Sequence, residues 1–508
     1  MRAVLGGDDA VKEAGDDFLP RLSDQTEPEY DAYKTRAQFF NATARTRDGF
    51  SGLIFRKDAK VEIPTEIEYF KKDTDLFGCN FDQFTKQIAD EVIGVGRVGT
   101  LIDWNSAEGR SYVSMYQAEQ IINWRVARIN GRNALVLLVL RENVNADGEI
   151  PGSDVKVKAQ AGGRVEMNHR DATGPGPQPA EQLASPQGAD EFAPQMIEQL
   201  RVYRLTKTDQ TETVNVAGVE RIVNVQAVVC EIHRKIQDGK GFEIVATLEL
   251  TRKGVALTEI PFVFHGPRNS KPDIDRPPLE DVATVNLSHY RNSADYEHGL
   301  HFTGLPTAWV AGFKKETVLK IGSSTAWVSE SPEASAGYLE FTGQGLDAIK
   351  GAMERKEHQM AILGARMLEA SKRDAETAEA MQIKAVGEGS VVTNIAKSLS
   401  ASLTLVVKWV VWWHQTADKK LSDIGDDVIV SLNLDFSALQ LEAPEIIALV
   451  KAWQARAISR DTLDHVLQRG EIIPASRQPG DEAELIQTET PPPAPLSEKA
   501  EQKPTVKK

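Results

Sequence analysis

Residues 346–368 read LDAIKGAMERKEHQMAILGARML. Leu346, Ile349, Met353, Met360, Leu363 and Met367 fall three, four or seven apart, the spacing that puts apolar side chains on one face of a helix. Lys350–Glu354 and Glu354–His358 are i, i+4 pairs on the opposite face, each contributing about a few tenths of a kcal/mol. One apolar stripe on a charged helix needs a partner surface, and the flanking sequence predicts what surrounds it.

Immediately downstream a charged break, Glu369–Asp374, separates this helix from a longer helical pattern at Ala375–Thr416. In its second half Val392, Ile395, Leu399, Leu403, Val406, Val410 and Trp413 step by three or four; Gly387 and Gly389 predict a kink in its first half. Immediately upstream, residues 302–341 predict short strands at Thr307–Val310, Thr325–Ser329 and Gly337–Phe341. Before them Leu279–Gly299 predicts another helix, with Leu279, Val282, His289 and Tyr296 near one face.

Further out the pattern is mixed. Residues 28–57 predict one helix and 81–93 a second. Strands are expected at Thr100–Trp104, Tyr112–Tyr116, Ile121–Ile129 and Ala134–Arg141, the last two joined at Asn130-Gly131, which accepts the positive φ angles of a type I′ turn. Residues 151–195, rich in Pro, Gly, Ser and Gln, read as a mobile loop or linker. Strands resume at Glu198–Thr206, Gln226–Ile236 and Phe242–Leu250. After the long helix come a strand at Val428–Leu434, a helix opened by Pro444 and ending at Ala457, and a short helix capped by Ser459 or Asp461. The PPPAP run and charges of Ser476–Lys508 read as a disordered tail. The fold class is α+β.

The chain has 508 residues, enough for two to four domains, and a formal net charge of −15. Tight static DNA binding draws on Lys and Arg that release counterions, so an acidic chain is poorly suited to it; a channel through which DNA slides is compatible. Two cysteines, Cys79 and Cys230, make no disulfide framework and no zinc spacing. The N-terminus lacks the apolar run of a signal peptide. Leu399–Trp413 falls short of the roughly 20 apolar residues that cross a bilayer, so it reads as a buried helix and no membrane partner is expected.

Several motifs carry chemistry elsewhere and a plainer reading here. Gly94-Val95-Gly96-Arg97-Val98-Gly99 matches G-x-G-x-x-G, but a helix precedes it and a strand follows, the reverse of a dinucleotide site; the glycines end one element and start the next. Glu297, His298 and His301 could share a metal, yet no further ligand has convincing spacing and a polar helix end is the simpler reading; no metal and no cofactor are expected. Trp409, Trp412 and Trp413 could stack on bases, but aromatics at helical spacing read first as core or subunit interface. With no Walker A, nucleophile-elbow or zincin motif, the chain is read as non-enzymatic. Lys350, Arg355 and Lys356, with Lys372 and Arg373 in the break, are solvated charges or contacts to a phosphate backbone.

The joint order of these stretches carries a resemblance. YDAYKTRAQFFNATARTRDGFSGLIFRK (30–57), VIGVGRVGTLIDW (92–104), YQAEQIINWRV (116–126), GLPTAWVAGF (304–313), YLEFTGQGLDAIKGAMERKEHQMAILGARML (338–368) and AETAEA (375–380) resemble tailed-bacteriophage portal proteins, in particular a subgroup formerly filed as a domain of unknown function. The resemblance runs from about residue 28 to about residue 475. It implies a portal-like subunit: an α/β wing over 1–278, a stem helix at 279–299, a small α/β clip at 300–341 and a second stem helix at 342–368. A tunnel loop follows at 369–374, then a long wing helix and returning strand at 375–443 and a helical crown at 444–475. It further implies a homo-oligomeric ring, a dodecamer, at the portal vertex of a virion assembled in a bacterial cytoplasm. The partners implied are double-stranded DNA, the terminase large subunit, a head-completion or adaptor protein, and the major capsid and scaffolding proteins. The DNA-facing residues it implies are Glu369, Ala370, Ser371, Lys372, Arg373 and Asp374 in the tunnel loop, with Lys350, Arg355 and Lys356 as channel-facing candidates on the stem.

Overall fold

The computed structural model describes residues 1–129, 131–145, 196–216, 219–236, 241–303, 307–313, 327–329, 331–339, 344–366, 390–434 and 443–469, with a few isolated positions beyond them. The chain divides into two units, Met1–Asp435 and Phe436–Lys508. Helix and strand alternate irregularly in the first, so the class is α+β as expected.

The core of the first unit forms around the most apolar helix. Val391–His414 (α8) follows Ser390, whose hydroxyl accepts the Thr393 amide at 3.1 Å and so caps the helix. Ser390 itself is extended, so the helix begins after it; the pattern from Ala375 to Gly389 lies outside the described residues. Among the described residues α8 is long and apolar enough to cross a bilayer by length and composition, which corrects the length argument made from Leu399–Trp413. Its burial identifies it as a core helix: Val392, Ile395, Leu399, Leu403, Val406 and Val410 are all enclosed by protein.

α8 lies on a three-stranded antiparallel sheet in the order β11-β2-β3, formed by Phe262–His265, Val98–Asn105 and Arg110–Gln117. Alternation along β2 divides its side chains cleanly. Thr100 and Trp104 face α8: Thr100 bonds His265, which bonds Ser402 on the helix, and Trp104 stacks on Trp413 at 6.0 Å. Gly99 and Asp103 face the other way. A Cβ on Gly99 would collide with the Phe262 ring, so glycine lets the ring pack against the strand. The helix Phe81–Val95 (α5) ends at Gly96, which adopts the left-handed conformation with φ 89°. The glycine run therefore terminates a helix and opens a strand, as its order predicted.

A second sheet, antiparallel β4-β5-β6-β7-β8, packs on that other face; it comprises Ile121–Ile129, Arg132–Asn145, Met196–Val216, Val219–Lys235 and Phe242–Glu249. A polar network joins the two sheets. Glu142 accepts from Tyr116 Oη at 2.5 Å, from Gln199 Nε2 at 3.0 Å and from Arg201 Nε at 3.1 Å. Burial pushes the nearby Asp103 carboxyl up from its usual range, while Arg201 opposes that shift. Such a network fixes sheet registry, because every displaced partner would strand a buried polar atom.

The single helix expected over 28–57 is two, Glu27–Arg36 (α3) and Ala42–Ile54 (α4). Asn41 breaks it: its side chain accepts the Ala44 amide at 3.2 Å and caps α4. Two short N-terminal helices that sequence periodicity did not reveal, Arg2–Gly6 (α1) and Asp8–Glu13 (α2), supply Val4 and Val11 to a cluster with Tyr30, Tyr33, Ala37, Ala283, Tyr290 and Ala294. A short strand pair, Lys60–Glu62 (β1) with Ile429–Ser431 (β14), flanks α8; the latter is shorter than the strand expected over 428–434. In the second unit Ala443–Gln454 (α9) and Arg460–Arg469 (α10) are helices. Ser459 accepts the Thr462 amide at 3.1 Å and is the cap. The expected loop at 151–195 lies outside the described residues, as does nearly all of the expected tail at 476–508.

Candidate assembly and channel surface

Glu280–Thr303 (α6) and Gln344–Arg366 (α7) form an antiparallel hairpin. Three contacts fix its register. Lys356 Nζ donates to the Ser288 carbonyl at 3.0 Å, His289 Nε2 meets Glu357 Oε1 at 3.1 Å, and Gly299 faces Leu346. A Cβ on Gly299 would lie 2.5 Å from Leu346 Cδ2, so glycine sets how closely the helices approach near the tip. Gly299 therefore lies inside α6, which runs four residues past the expected end of the first stem helix.

The two halves of α6 have different surroundings. Val282, Ala283, Asn286, His289, Tyr290, Ser293 and Ala294 are buried in the body of the unit. Asn286 anchors it there: Oδ1 accepts the Thr43 amide and hydroxyl at 3.1 and 2.9 Å, and Nδ2 donates to the Phe40 carbonyl. Beyond Asp295 the helix emerges, with Leu300 and Phe302 exposed. α7 is barer still. Among its described side chains only Met360 is buried, and Leu346, Ile349, Met353 and Leu363 remain half-covered.

Between the helices lies a two-stranded sheet, Thr307–Ala311 (β12) with Ser335–Leu339 (β13). Trp309 packs over Gly337, yet Trp309 and Tyr338 stay exposed. A two-stranded sheet is marginal on its own, so this element gains from a covering partner. The third strand expected here, Thr325–Ser329, is not formed over its described part, Trp327–Ser329.

The sequence-derived site residues divide into three groups. Lys350 and Arg355 are exposed on α7. Lys356, the third channel-facing candidate, is half-buried and donates to the Ser288 carbonyl within the hairpin. Burial, together with Arg355 and Arg291, holds its ammonium below the usual lysine range. Glu369, Ala370, Ser371, Lys372, Arg373 and Asp374 lie outside the described residues.

The other candidate clusters are engaged in packing. His298 stands edge-on to Tyr33 at 5.2 Å and to Phe302 at 4.7 Å. Burial, then Arg36 and His301, lower its pKa. Among the described residues no three His, Cys, Asp or Glu side chains converge in a metal-binding group. Trp409, Trp412 and Trp413 are buried against one another, so their faces are not open to bases.

Arg252, which the sequence reading did not single out, closes the end of α8. Its guanidinium lies 3.9 Å over the Trp412 ring and donates to the carbonyls of Trp412, Gln415, Thr416, Ala417 and Lys419 at 2.6–3.2 Å. It satisfies acceptors that a helix C-terminus leaves open and places a cation at the negative end of the helix. No local signal marks it, because about 160 residues separate Arg252 from the carbonyls it meets.

A family model described as a domain of unknown function (DUF4055) matches residues 278–414, the span from α6 through α8. No curated protein matches the chain. Among solved structures, one described as "Neck of empty GTA particle computed with C6 symmetry" is similar at 10% identity and a TM-score of 0.32, covering 86% of this chain and 89% of that one.

Proposed function

We propose that this chain is a portal subunit of a phage-like particle, assembling with copies of itself into a dodecameric ring through which double-stranded DNA enters and leaves the capsid. The observation that carries the reading is the α6–α7 hairpin. Its base is anchored in the body by Asn286 and Tyr290, while α7 and the tip strands keep apolar side chains that the described residues leave half-covered or exposed. Neighbouring copies in a closed ring supply the missing surface through a heterologous interface. The order of helix, small strand pair and helix, followed by the long α8, supports the same reading.

In this reading α6 and α7 are the stem and β12–β13 the clip, which docks the terminase large subunit during packaging and a head-completion protein afterwards. The remainder faces the major capsid and scaffolding proteins. The chain itself is not an enzyme and works without a cofactor. About −180 of formal charge on twelve copies repels phosphates on average, and physiological salt screens that beyond about 8 Å. Exposed Lys350 and Arg355, with Lys372 and Arg373, then give DNA weak and shifting contacts.

The test is DNA packaging with Lys372→Ala/Arg373→Ala chains. Rings form as in the wild type, and packaged length or rate changes. Unchanged packaging removes the DNA contact from this loop.

A further inference from the structure

The glycine run that joins α5 to β2 holds an arginine that packing alone does not explain. Arg97 leads into β2 directly after the left-handed Gly96, and it is 4% exposed. Its guanidinium is stacked between two rings, 3.9 Å from the centroid of Trp124 on β4 and 4.9 Å from that of Phe264 on β11. No hydrogen bond or ion pair joins it to any described residue. Nε and Nη2 are sealed from the surface without a partner, which leaves Nη1 as the nitrogen that reaches it. Glycines shape the slot. A Cβ on Gly96 would lie 3.1–3.2 Å from the backbone of Asp275 and Pro277, so the loop after β11 closes against this turn. Gly99 stands opposite Phe264 in the β2–β11 ladder.

A buried cation that no anion meets is costly, because an ion that leaves water needs partners to offset the loss. The two rings offset part of it through their negative faces, but they take none of the five N–H groups in the plane of the guanidinium. Other buried arginines of this chain are satisfied: Arg201 meets Glu142 at 3.0 Å, and Arg252 donates to carbonyls at the end of α8. Asp273, exposed on the loop between β11 and α6, pulls on Arg97 only from beyond ion-pair distance. Burial pushes the Arg97 pKa down to about 10, so the group stays charged at neutral pH. What the slot lacks is an acceptor, and the rings set its approach. Both faces are covered, so only the edge of the guanidinium is open, and that edge matches the oxygens of a carboxylate or phosphate.

We propose that Arg97 anchors an oxyanion-binding site where β2, β4 and β11 meet, taking an oxygen of a carboxylate or phosphate group at Nη1. The ligand is a single small oxyanion group, either free in solution or carried by an acidic side chain of a second copy. It is not a dinucleotide, because a helix precedes these glycines where a pyrophosphate needs one to follow. The site lies apart from the α6–α7 hairpin and does not depend on the ring reading.

The experiment uses the full-length chain, with Arg97→Gln and Arg97→Met as variants. Thermal melting is followed against inorganic phosphate at constant ionic strength, balanced with sodium chloride, and against protein concentration in chloride alone. Equilibrium dialysis with labelled phosphate measures binding directly. Both replacements are neutral and slender enough to lie between the rings, and they remove a charge that nothing pairs, so in chloride they melt no lower than the wild type. For a free anion, phosphate raises the wild-type melting temperature and saturates, and both variants bind it at least about tenfold more weakly. For an acidic side chain of a second copy, the wild-type melting temperature rises with protein concentration, and that rise is lost in both variants. Variants that respond to phosphate and to concentration as the wild type does overturn the site, and they leave the ring standing if they still assemble. A wild type that neither binds phosphate nor gains stability with concentration overturns the site whatever the variants do.

Discussion

His265 shows how a single side chain ties stability to pH. Its ring is fully buried, with Nε2 2.9 Å from Thr100 Oγ1 and Nδ1 2.8 Å from Ser402 Oγ. Burial pushes its pKa down to about 3, from 6.5 in the exposed chain. Because the folded pKa is depressed, the unfolded chain takes up the proton first as pH falls. The stability contributed is fully present above pH 6.5 and is lost on acidification toward pH 3. Between pH 7.5 and 5 this one group removes about 2 kcal/mol. Urea denaturation at the two pH values measures it against His265→Gln, which hydrogen-bonds but does not titrate. The variant loses about 2 kcal/mol less between them than the wild type; equal losses contradict the assignment. Arg252 makes a second prediction at this scale. Arg252→Met keeps the packing over Trp412 but removes five hydrogen bonds to the carbonyls at the end of α8, and it destabilises the unit by about 1–3 kcal/mol in the same assay.

Helices and strands were legible wherever packing makes the pattern, and not where a distant partner makes it. α7 and α8 were evident from their stripes, and the β4–β5 hairpin from Asn130-Gly131. The break between α3 and α4 was hidden because Phe39 and Phe40 carry the apolar pattern across it, although Asn41 was available as a cap. α1 and α2 are too short for periodicity to register, and they are fixed by tertiary contacts with α6. The candidate surface was partly legible: the hairpin's two helices were, but not its register, which depends on Gly299 meeting Leu346 and Lys356 meeting Ser288. Gly299→Val tests that register. The added carbons collide with Leu346 and push the tip of the hairpin apart, at a cost of about 1–3 kcal/mol. Hydrogen exchange in the C-terminal half of α6 and the N-terminal half of α7 accelerates, while α8 stays protected. Uniform exchange across all three contradicts a local role for the glycine.

At the scale of the molecule, the first unit has a well-buried centre and an under-buried projection. The centre is α8 on the three-stranded sheet, whose other face meets the five-stranded sheet, with polar ties at His265 and Glu142 and a closed helix end at Arg252. The projection is α7 with its neighbouring strands, where charged and half-covered apolar residues mix among the described positions. A helix with so few buried side chains among its described residues gains from a covering surface. In the proposed ring, copies of the chain would cover that surface, and the −15 charge per copy would keep the channel from holding DNA fast. The most direct measurement is the mass and negative-stain image of particles formed by the purified full-length chain. Closed rings with a central hole and a mass near twelve copies are expected; monodisperse monomers under assembly conditions, or open filaments, contradict the account.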